Sequence, residues 1–223
     1  MMAKMPATGP AQQSSKWEGG QPMRRLEVLQ KAIKVFYERG YRDATINQLA
    51  AEMGFSKAAF YHYVRSKQDL LYIIFDSVMD LLQDTVKGIM HSEASPERKL
   101  RQIVTNYVAM IVEYREMLEI YFTEKTELSR EQQNAITLRE REFMHVIRDV
   151  YQEGVAAGLF VELHPSVVTN IILGMCGWIY RWYDPEGVVP ANQLPNMVLH
   201  ILTRGIESPR SEVPFTLVEE GNL

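Results

Sequence analysis

The chain has 223 residues, of which 46% are apolar and 23% charged, a composition ordinary for a globular protein that is large enough to bury a sizeable core. Its single cysteine, Cys176, excludes an intramolecular disulfide and favours a reducing compartment. The N-terminal segment lacks the continuous apolar core of a secretory signal, and the longest apolar run is too short to cross a bilayer. These features predict a cytoplasmic protein of one or two domains that has no membrane partner.

The formal net charge of −4 argues against a nucleic-acid partner, but the sum conceals an asymmetry. Residues 22–67 carry nine Lys and Arg against four Asp and Glu, whereas residues 68–223 carry 13 basic and 23 acidic side chains. A basic segment joined to an acidic body is typical of a protein that meets a polyanion at one end. Because many basic segments are only solvated surface, the charge alone leaves both interpretations open.

The chain begins with residues 1–21, which are rich in Pro, Gly, Ser and Gln and predict a flexible tail. Apolar side chains then recur at helical spacing between Leu26 and Phe36. This spacing predicts an amphipathic helix over residues 23–39 that stops at Gly40, a residue suited to the left-handed conformation that follows many helix ends.

The next stretch contains three helix starts and one glycine. Capping-box spacing from Thr45 to Gln48 predicts a short helix, which Gly54 ends after about two turns. Ser56 and Ser66 offer N-caps for the next two helices. Two of these three helices are therefore expected to be short.

The remainder of the chain also predicts helices. Apolar residues keep helical spacing there, and no stretch alternates convincingly with the period of two that a strand requires, so the sequence predicts an all-α fold. The predicted helices start after Ser66, at Ser95-Pro96, at Ser129 and at Pro165, the last of these ending near Tyr183, and a final helix covers residues 191–207.

Two short helices joined by a tight turn containing glycine are typical of a helix-turn-helix, whose second helix enters the major groove of DNA. Lys57 can reach a phosphate or a guanine edge, and Ala58 and Ala59 are small enough to let the helix approach thymine methyl groups. Tyr61 and His62 can donate hydrogen bonds to phosphate oxygens. The alternative, which these residues alone leave open, is a helical hairpin in which Tyr61 and Tyr63 pack in a core.

Helix starts offer a further kind of contact to DNA. The unpaired N–H groups and the positive dipole end at Thr45 and Ser66 can each hold a phosphate, and Lys67 adds a charge beside the second of them.

The patterns F-x-x-R-G-Y, T-I-x-x-L-A, G-x-S-K and F-Y-H-Y-x-x-S-K-x-x-L fall within residues 24–71. Together they resemble the DNA-binding domain of the TetR family of bacterial transcriptional regulators. The resemblance implies a homodimer that binds a palindromic double-stranded DNA operator. The sequence departs mildly from the family pattern at Ala58 and Ala59, where a glycine followed by Thr or Ser is frequent. The resemblance places Thr45, Ser56, Lys57, Tyr61, His62 and Lys67 at positions where such proteins touch DNA.

The predicted organisation is a helix-turn-helix domain over residues 22–68, a helical ligand-binding and dimerisation domain over 69–208, and a C-terminal tail over 209–223. Recognition helices in successive major grooves lie roughly 34 Å apart, so a small tilt of the helix after Ser66 can spoil the fit to DNA. A ligand that favours the mis-spaced state would then weaken DNA binding.

Residues 170–187 are the informative part of the body. Asn170, Gly174, Gly177 and Arg181 fall on one side of a helix, and Trp178 and Trp182 form an adjacent aromatic edge. Small residues permit close helix approach, which favours a dimer interface. The same residues also suit an apolar pocket with a basic group near its mouth, able to accept an acyl chain and an anionic head.

The pattern G-x-x-x-W-I-Y-R-W-Y-x-P-x-G in this segment resembles the C-terminal domain of TetR-type repressors of fatty-acid and steroid degradation, whose effectors are CoA thioesters. The resemblance implies a repressor that an acyl-CoA releases from DNA, with no other cofactor. The candidate ligand-binding residues are Tyr107, Ile111, Tyr114, Phe143, Ile147, Tyr151, Asn170, Trp178 and Arg181, although aromatic residues at helical spacing are more often ordinary core.

Two other function classes stay open. A repressor of an efflux pump would share the fold and the DNA contacts but respond to lipophilic drugs instead of a thioester. A helical enzyme is the remote alternative, because the five histidines lack metal-ligand spacing and no phosphate-binding glycine loop or G-x-S-x-G elbow is present. The sequence therefore predicts no catalytic residue and no metal ligand.

Overall fold

A computed structural model describes residues 22–204, and the predicted tails over 1–21 and 209–223 lie outside the described residues. Within the described part the secondary structure is helical and contains no strand, which confirms the all-α prediction. The first three helices form a head, and the later helices form a larger body.

Local chain chemistry explains the head, which comprises α1 (Pro22–Arg39), α2 (Ile46–Met53) and α3 (Lys57–Tyr63). Gly40 and Gly54 end the first two helices with φ of 79° and 71°, the left-handed conformation that glycine adopts without steric cost. The predicted capping box is present, since the Thr45 hydroxyl accepts from the Gln48 N–H and the Gln48 side chain accepts from the Thr45 N–H. Ser56 caps α3 through the Ala59 N–H.

The body begins with α4 (Lys67–Val86), the predicted long helix, whose N-cap Ser66 accepts from the Asp69 N–H. The predicted starts at Ser95-Pro96 and Ser129 are confirmed, and the second has a complete capping box with Gln132. The remaining helices are α5 (Pro96–Glu113), α6 (Arg115–Thr123), a 3₁₀ turn (Lys125–Glu127), α7 (Arg130–Ala156), α8 (Pro165–Gly177), α9 (Ile179–Trp182) and α10 (Leu194–Arg204).

Two boundaries differ from the sequence-based expectation. The helix expected from Pro165 to Tyr183 is interrupted at Trp178, where the Arg181 N–H binds the Trp178 carbonyl at 3.0 Å in the tighter i→i+3 pattern. Gly174 and Gly177 precede the break, and glycine has low helix propensity. The last helix begins at Leu194 instead of 191, and residues 205–207 of that prediction lie outside the described residues.

The core surrounds α4, which packs against α1, α5, α6 and α7. Leu70, Ile74 and Phe75 are completely buried on this helix. On one side of α4, the Arg139 guanidinium of α7 donates to the carboxylates of Asp76 at 2.7 Å and Asp80 at 2.6 Å. Because α4 is held both by apolar contacts and by the hydrogen bonds from Arg139 to two of its carboxylates, it can move only together with its neighbours.

Substitutions at Gly54 test how much its left-handed backbone conformation in the turn between α2 and α3 contributes to stability. A Cβ added at Gly54 would meet no atom within 4 Å, so a substitution acts through the backbone conformation alone. We expect Gly54→Ala to lower the free energy of unfolding by about 1–2 kcal/mol, and Gly54→Asn to lower it less because asparagine tolerates the left-handed region. Urea denaturation at a fixed protein concentration measures both variants, and equal losses would contradict the backbone explanation.

Candidate nucleic-acid interface

Helix α3 presents one face to solvent and is held by the other. Phe60 is completely buried, whereas the Tyr61 side chain is 47% exposed and Lys57 and Ala58 are also exposed. Ala59 is half-buried on the same short helix. The predicted contact residues Ser56, Lys57, Ala58 and Tyr61 therefore share an exposed surface, and the His62 side chain lies outside the described part of the structure.

Aromatic packing fixes the orientation of α3. The ring of Phe55, in the turn before the helix, stacks on Tyr63 with a centroid distance of 4.9 Å, and the Phe60 ring meets Tyr61 edge to face at 5.7 Å. A helix of seven residues has little stability of its own, so these contacts and the buried Phe60 side chain hold it in place. The hairpin interpretation with Tyr61 and Tyr63 in a core is wrong for Tyr61, which faces solvent, whereas Tyr63 is half-buried against Phe55.

The Lys67 ammonium binds the loop between α1 and α2. Its Nζ donates to the carbonyls of Tyr41, Arg42 and Ala44 at 2.8, 3.1 and 2.9 Å, and it lies 4.4 Å from the centroid of the Tyr41 ring. An ammonium has three N–H donors, and all three are used. The predicted phosphate contact from Lys67 would require one of these hydrogen bonds to open.

Thr45 lies exposed at the end of that loop, directly before α2. Its hydroxyl and its N–H are both engaged by the Gln48 side chain and backbone. The same arrangement fixes the start of α2, so Lys67 and the capping box together set where the first N–H groups of that helix point.

Besides the packing of α1 on α4 and α6, the head contacts the body at the 3₁₀ turn of Lys125–Glu127. There the Arg42 guanidinium pairs with the Glu127 carboxylate at 2.8 Å, and within the body the Gln68 amide of α4 donates to the Glu127 carbonyl at 2.8 Å. The Arg42 side chain is largely exposed, so this ion pair contributes little stability by itself. It nevertheless links the loop beside the DNA-binding helices to the end of α6.

Most predicted ligand-binding residues of α5 and α7 lie in the packed core. Ile111 and Ile147 are completely buried, and Tyr107 meets Phe143 edge to face at 5.6 Å. Tyr114 is half-buried where α5 ends, and burial raises the pKa of its hydroxyl to about 12. These residues do not line an open cavity in this structure.

The Tyr107 hydroxyl is nevertheless unusual, because it is buried and forms no hydrogen bond with another described residue. Burial raises its pKa. The hydroxyl lies 3.4 Å from the place that a Cβ of Gly177 would take, and the Phe122 ring, stacked on Tyr180 at 4.7 Å, borders the same place. The periodicity of the sequence singled out Tyr107, but it gave no sign of Phe122.

Tyr151 lies in a different region from the other candidates. It lines a half-open cavity of about 490 Å³ between the start of α5, the end of α7, α8 and the end of α10. Its hydroxyl donates to the Val161 carbonyl at 2.6 Å and accepts from the Leu163 N–H at 3.0 Å. We refer to this cavity, lined by Leu100, Tyr151, Phe160, Leu163 and Leu202 among others, as the α5–α10 cleft.

The predicted residues of α8 and α9 lie on the outside of the molecule except Gly177, which is buried beside Phe122 and Tyr107. Trp178 and Trp182 are 59% and 55% exposed, and Asn170 and Arg181 are exposed beside them. A Cβ at Gly174 would meet no atom within 4 Å. Other apolar side chains exposed on α8 and α10 are Val167, Ile171, Met197 and Ile201.

Metal ligands, the single thiol and membrane-spanning helices can be assessed between residues 22 and 204. No group of three His, Cys, Asp or Glu side chains between residues 22 and 204 is arranged to hold a metal ion. Cys176 is buried, and burial raises the pKa of its thiol to about 12. In the same range, no helix has both the length and the apolar character needed to cross a bilayer.

Comparison with known families covers most of the chain. Residues 28–72 match the family described as "Bacterial regulatory proteins, tetR family", and residues 93–206 match "Tetracyclin repressor-like, C-terminal domain". The chain is 28% identical over 191 residues to the HTH-type transcriptional repressor KstR2 of Mycolicibacterium smegmatis, covering 85% of this chain and 93% of the relative. It is 19% identical over 185 residues to the fatty acid metabolism regulator protein of Bacillus subtilis, covering 82% and 95%.

Two solved structures extend this similarity to the fold. The TetR family regulator PfmR of Thermus thermophilus has a TM-score of 0.76 at 25% identity, covering 81% of this chain and 99% of that one. The ketosteroid transcriptional regulator KstR2 of Mycobacterium tuberculosis has a TM-score of 0.75 at 26% identity, covering 84% and 96%. The family matches and the exposed second helix of the helix-turn-helix together identify the chain as a member of the TetR family of bacterial transcriptional regulators, and not an enzyme.

Proposed function

We propose that the protein is a repressor that binds a palindromic operator as a homodimer and is released from DNA by a CoA thioester. The observation that carries the DNA-binding part is α3, which exposes Lys57, Ala58 and Tyr61 while Phe60 anchors it. A protein with this role works in the cytoplasm, where bacterial DNA lies. The curated relative KstR2 is named a repressor, which supports the direction of control.

The contacts to DNA divide into two kinds. Lys57 and Tyr61 project freely from α3 and are suited to bind phosphates or base edges directly. Ala58 and Ala59 allow the helix to approach the groove closely, and Ser56 and Thr45 lie at helix starts that favour a phosphate. Lys67 acts through the loop before α2, because its donors are bound to three carbonyls.

The exposed surface of α8, α9 and α10 supports the homodimer. Trp178 and Trp182 expose more than half of their surface, an arrangement costly in water unless another surface covers it. Gly174 leaves room for a second helix to approach closely. The same surface on a second copy is apolar as well, so a symmetric pairing buries both.

The support for a thioester effector comes from the buried residues beneath this surface, around Tyr107 and Gly177. The buried Tyr107 hydroxyl lacks a partner among the described residues, and an unsatisfied buried hydroxyl costs about 1–3 kcal/mol. A ligand carbonyl reaching Gly177 would accept its hydrogen bond. Trp178 and Arg181 lie on the adjacent surface, where they suit an adenine ring and a phosphate.

The names of two relatives agree with a lipid-like effector. One is a fatty acid metabolism regulator and the other a ketosteroid regulator, and both cover more than 80% of this chain. An elongated apolar ligand would have to open the packed core between Tyr107 and Phe143. Effector binding would therefore favour a conformation in which α5 and α7 pack differently. A ligand can shift the protein between two conformations only if it binds one of them better.

The salt dependence of DNA affinity should distinguish the role of Lys57 from that of Lys67. We expect Lys57→Ala to reduce the slope of log affinity against log salt concentration by about 1, because one phosphate contact is lost. We expect Lys67→Ala to weaken DNA binding without changing that slope, and to lower the free energy of unfolding, because three carbonyls lose their donor. Lys87→Ala, an exposed lysine at the end of α4, is the matched control and should change neither quantity. A reduced slope in Lys67→Ala would restore its phosphate role.

Oligomeric state tests the surface around Gly174. In a single chain the side chain of Gly174→Leu meets open space, so any effect on association reports contact with a second copy. We expect the dimer dissociation constant in sedimentation equilibrium to rise at least about tenfold, a change of about 1.4 kcal/mol, with unchanged helix content. Arg141→Leu, at an exposed position of α7, should leave association unchanged. A Gly174→Leu protein that dimerises like the parent would place the interface elsewhere.

Effector release is tested by fluorescence anisotropy on DNA from upstream of the protein's own gene, at fixed salt. We expect a long-chain acyl-CoA to weaken DNA binding by about 5–150-fold, with no effect from free CoA or free fatty acid. Tyr107→Phe should bind DNA like the parent but need about tenfold more thioester for release, because it lacks the hydroxyl.

The same titrations separate the alternatives. Release by lipophilic drugs alone would assign the protein to efflux-pump regulators and contradict the thioester proposal. An unchanged response in Tyr107→Phe would remove this hydroxyl from the effector site while leaving the rest of the proposal intact.

A further inference from the structure

The α5–α10 cleft lies apart from both the DNA-binding surface and the surface around Trp178. Its wall combines apolar side chains from three different helices, Leu100, Ile172 and Leu202, with charged side chains at its edge. With a volume of about 490 Å³ it falls in the range of sites that hold a defined occupant. No role described above uses it.

The loop between α7 and α8 is rigidly held but leaves apolar side chains uncovered at this cleft. Phe160 packs on Gly154, where a Cβ would lie 2.1 Å from its ring, and its ring stacks on Tyr151. With the loop fixed in this way, Val161 is 69% exposed and Leu163 is also exposed. Apolar side chains that border a cleft and face water indicate a surface that another segment covers.

The chain itself continues from the edge of the cleft. Leu202, Thr203 and Arg204, the last described residues, line the cavity, and residues 205–223 follow them in the sequence. Within that segment residues 213–218 read VPFTLV, an apolar run between polar neighbours. Val213 lies nine positions after Arg204, a length of chain that can span up to about 30 Å, so the run can reach the cleft.

Charge also favours this segment as the occupant. Residues 205–223 contain four Glu and one Arg, whereas Arg101 and Arg204 stand at the cleft with one acid, Glu97. A tethered segment also has an effective concentration near the millimolar range, which favours it over a free ligand of similar affinity.

We propose that residues 213–218 bind in the α5–α10 cleft of the same chain, with Phe215 and Leu217 covering the exposed loop between α7 and α8. The segment would close this end of the body and tie α10 to α5 and α8. This interaction is separate from DNA binding and from the effector.

Disulfide trapping tests the proposal in the full chain. Glu97→Cys at the cleft combined with Thr216→Cys in the apolar run forms the reporter pair, and Gln102→Cys with Thr216→Cys is the control, because Gln102 is exposed on α5 but does not line the cleft. Cys176 does not compete, since it is buried and its thiol pKa is raised. We expect the reporter pair to form an intramolecular disulfide at least about tenfold faster than the control, and Phe215→Ser in the reporter background to remove the difference.

Each other outcome overturns the proposal in a defined way. Equal rates in reporter and control would show that the segment does not occupy the cleft, and would leave the cavity to a small apolar molecule. A disulfide that joins two chains, visible as a covalent dimer on a non-reducing gel, would show that the segment binds the cleft of the partner instead. An unchanged rate in Phe215→Ser would show that the apolar run does not provide the binding energy.

Discussion

The burial of most of α4 between the head and the body is the constraint on which the rest of the structure depends. Leu70, Leu71 and Ile74 are completely buried, so this helix belongs to the core of the head and to the core of the body. Close-packed interiors transmit displacements because they cannot compress. The packing of the body around α4 therefore affects the direction of α3, although α3 belongs to the head and the body contributes no residue to its exposed face.

A second connection runs parallel to α4. Phe122 of α6 stacks on Tyr180 of α9, and α6 leads into the 3₁₀ turn where Glu127 binds Arg42 and Gln68. A shift of α9 thus reaches the loop before α2 through two contacts and one short helix. In the proposed homodimer, two recognition helices would have to keep a spacing of roughly 34 Å on DNA, so a tilt of a few degrees in each head would weaken the fit.

The sequence predicted those features that depend on neighbouring residues. The capping boxes at Thr45 and Ser129 and the helix end at Gly54 are present, because each depends on residues three or four apart. It did not reveal the three carbonyls bound by Lys67, which come from residues more than 20 positions earlier, or the position of Phe122 against Tyr180. Helical spacing also selects core and pocket residues alike, which explains why several predicted pocket walls are ordinary core.

The segment containing Gly174, Gly177 and Trp178 carries several features that are unfavourable in a single chain. Glycine weakens the helix, the Trp178 ring faces water, and the nearby Tyr107 hydroxyl is buried without a hydrogen-bond partner between residues 22 and 204. A second copy and an effector would each remove part of this cost, and they would do so through the same few residues. Dimer geometry and effector affinity should then be coupled, and thermodynamic linkage makes that coupling reciprocal. Under the proposed function, the break at Trp178 would be compensated by the second copy and the effector and not by the isolated fold.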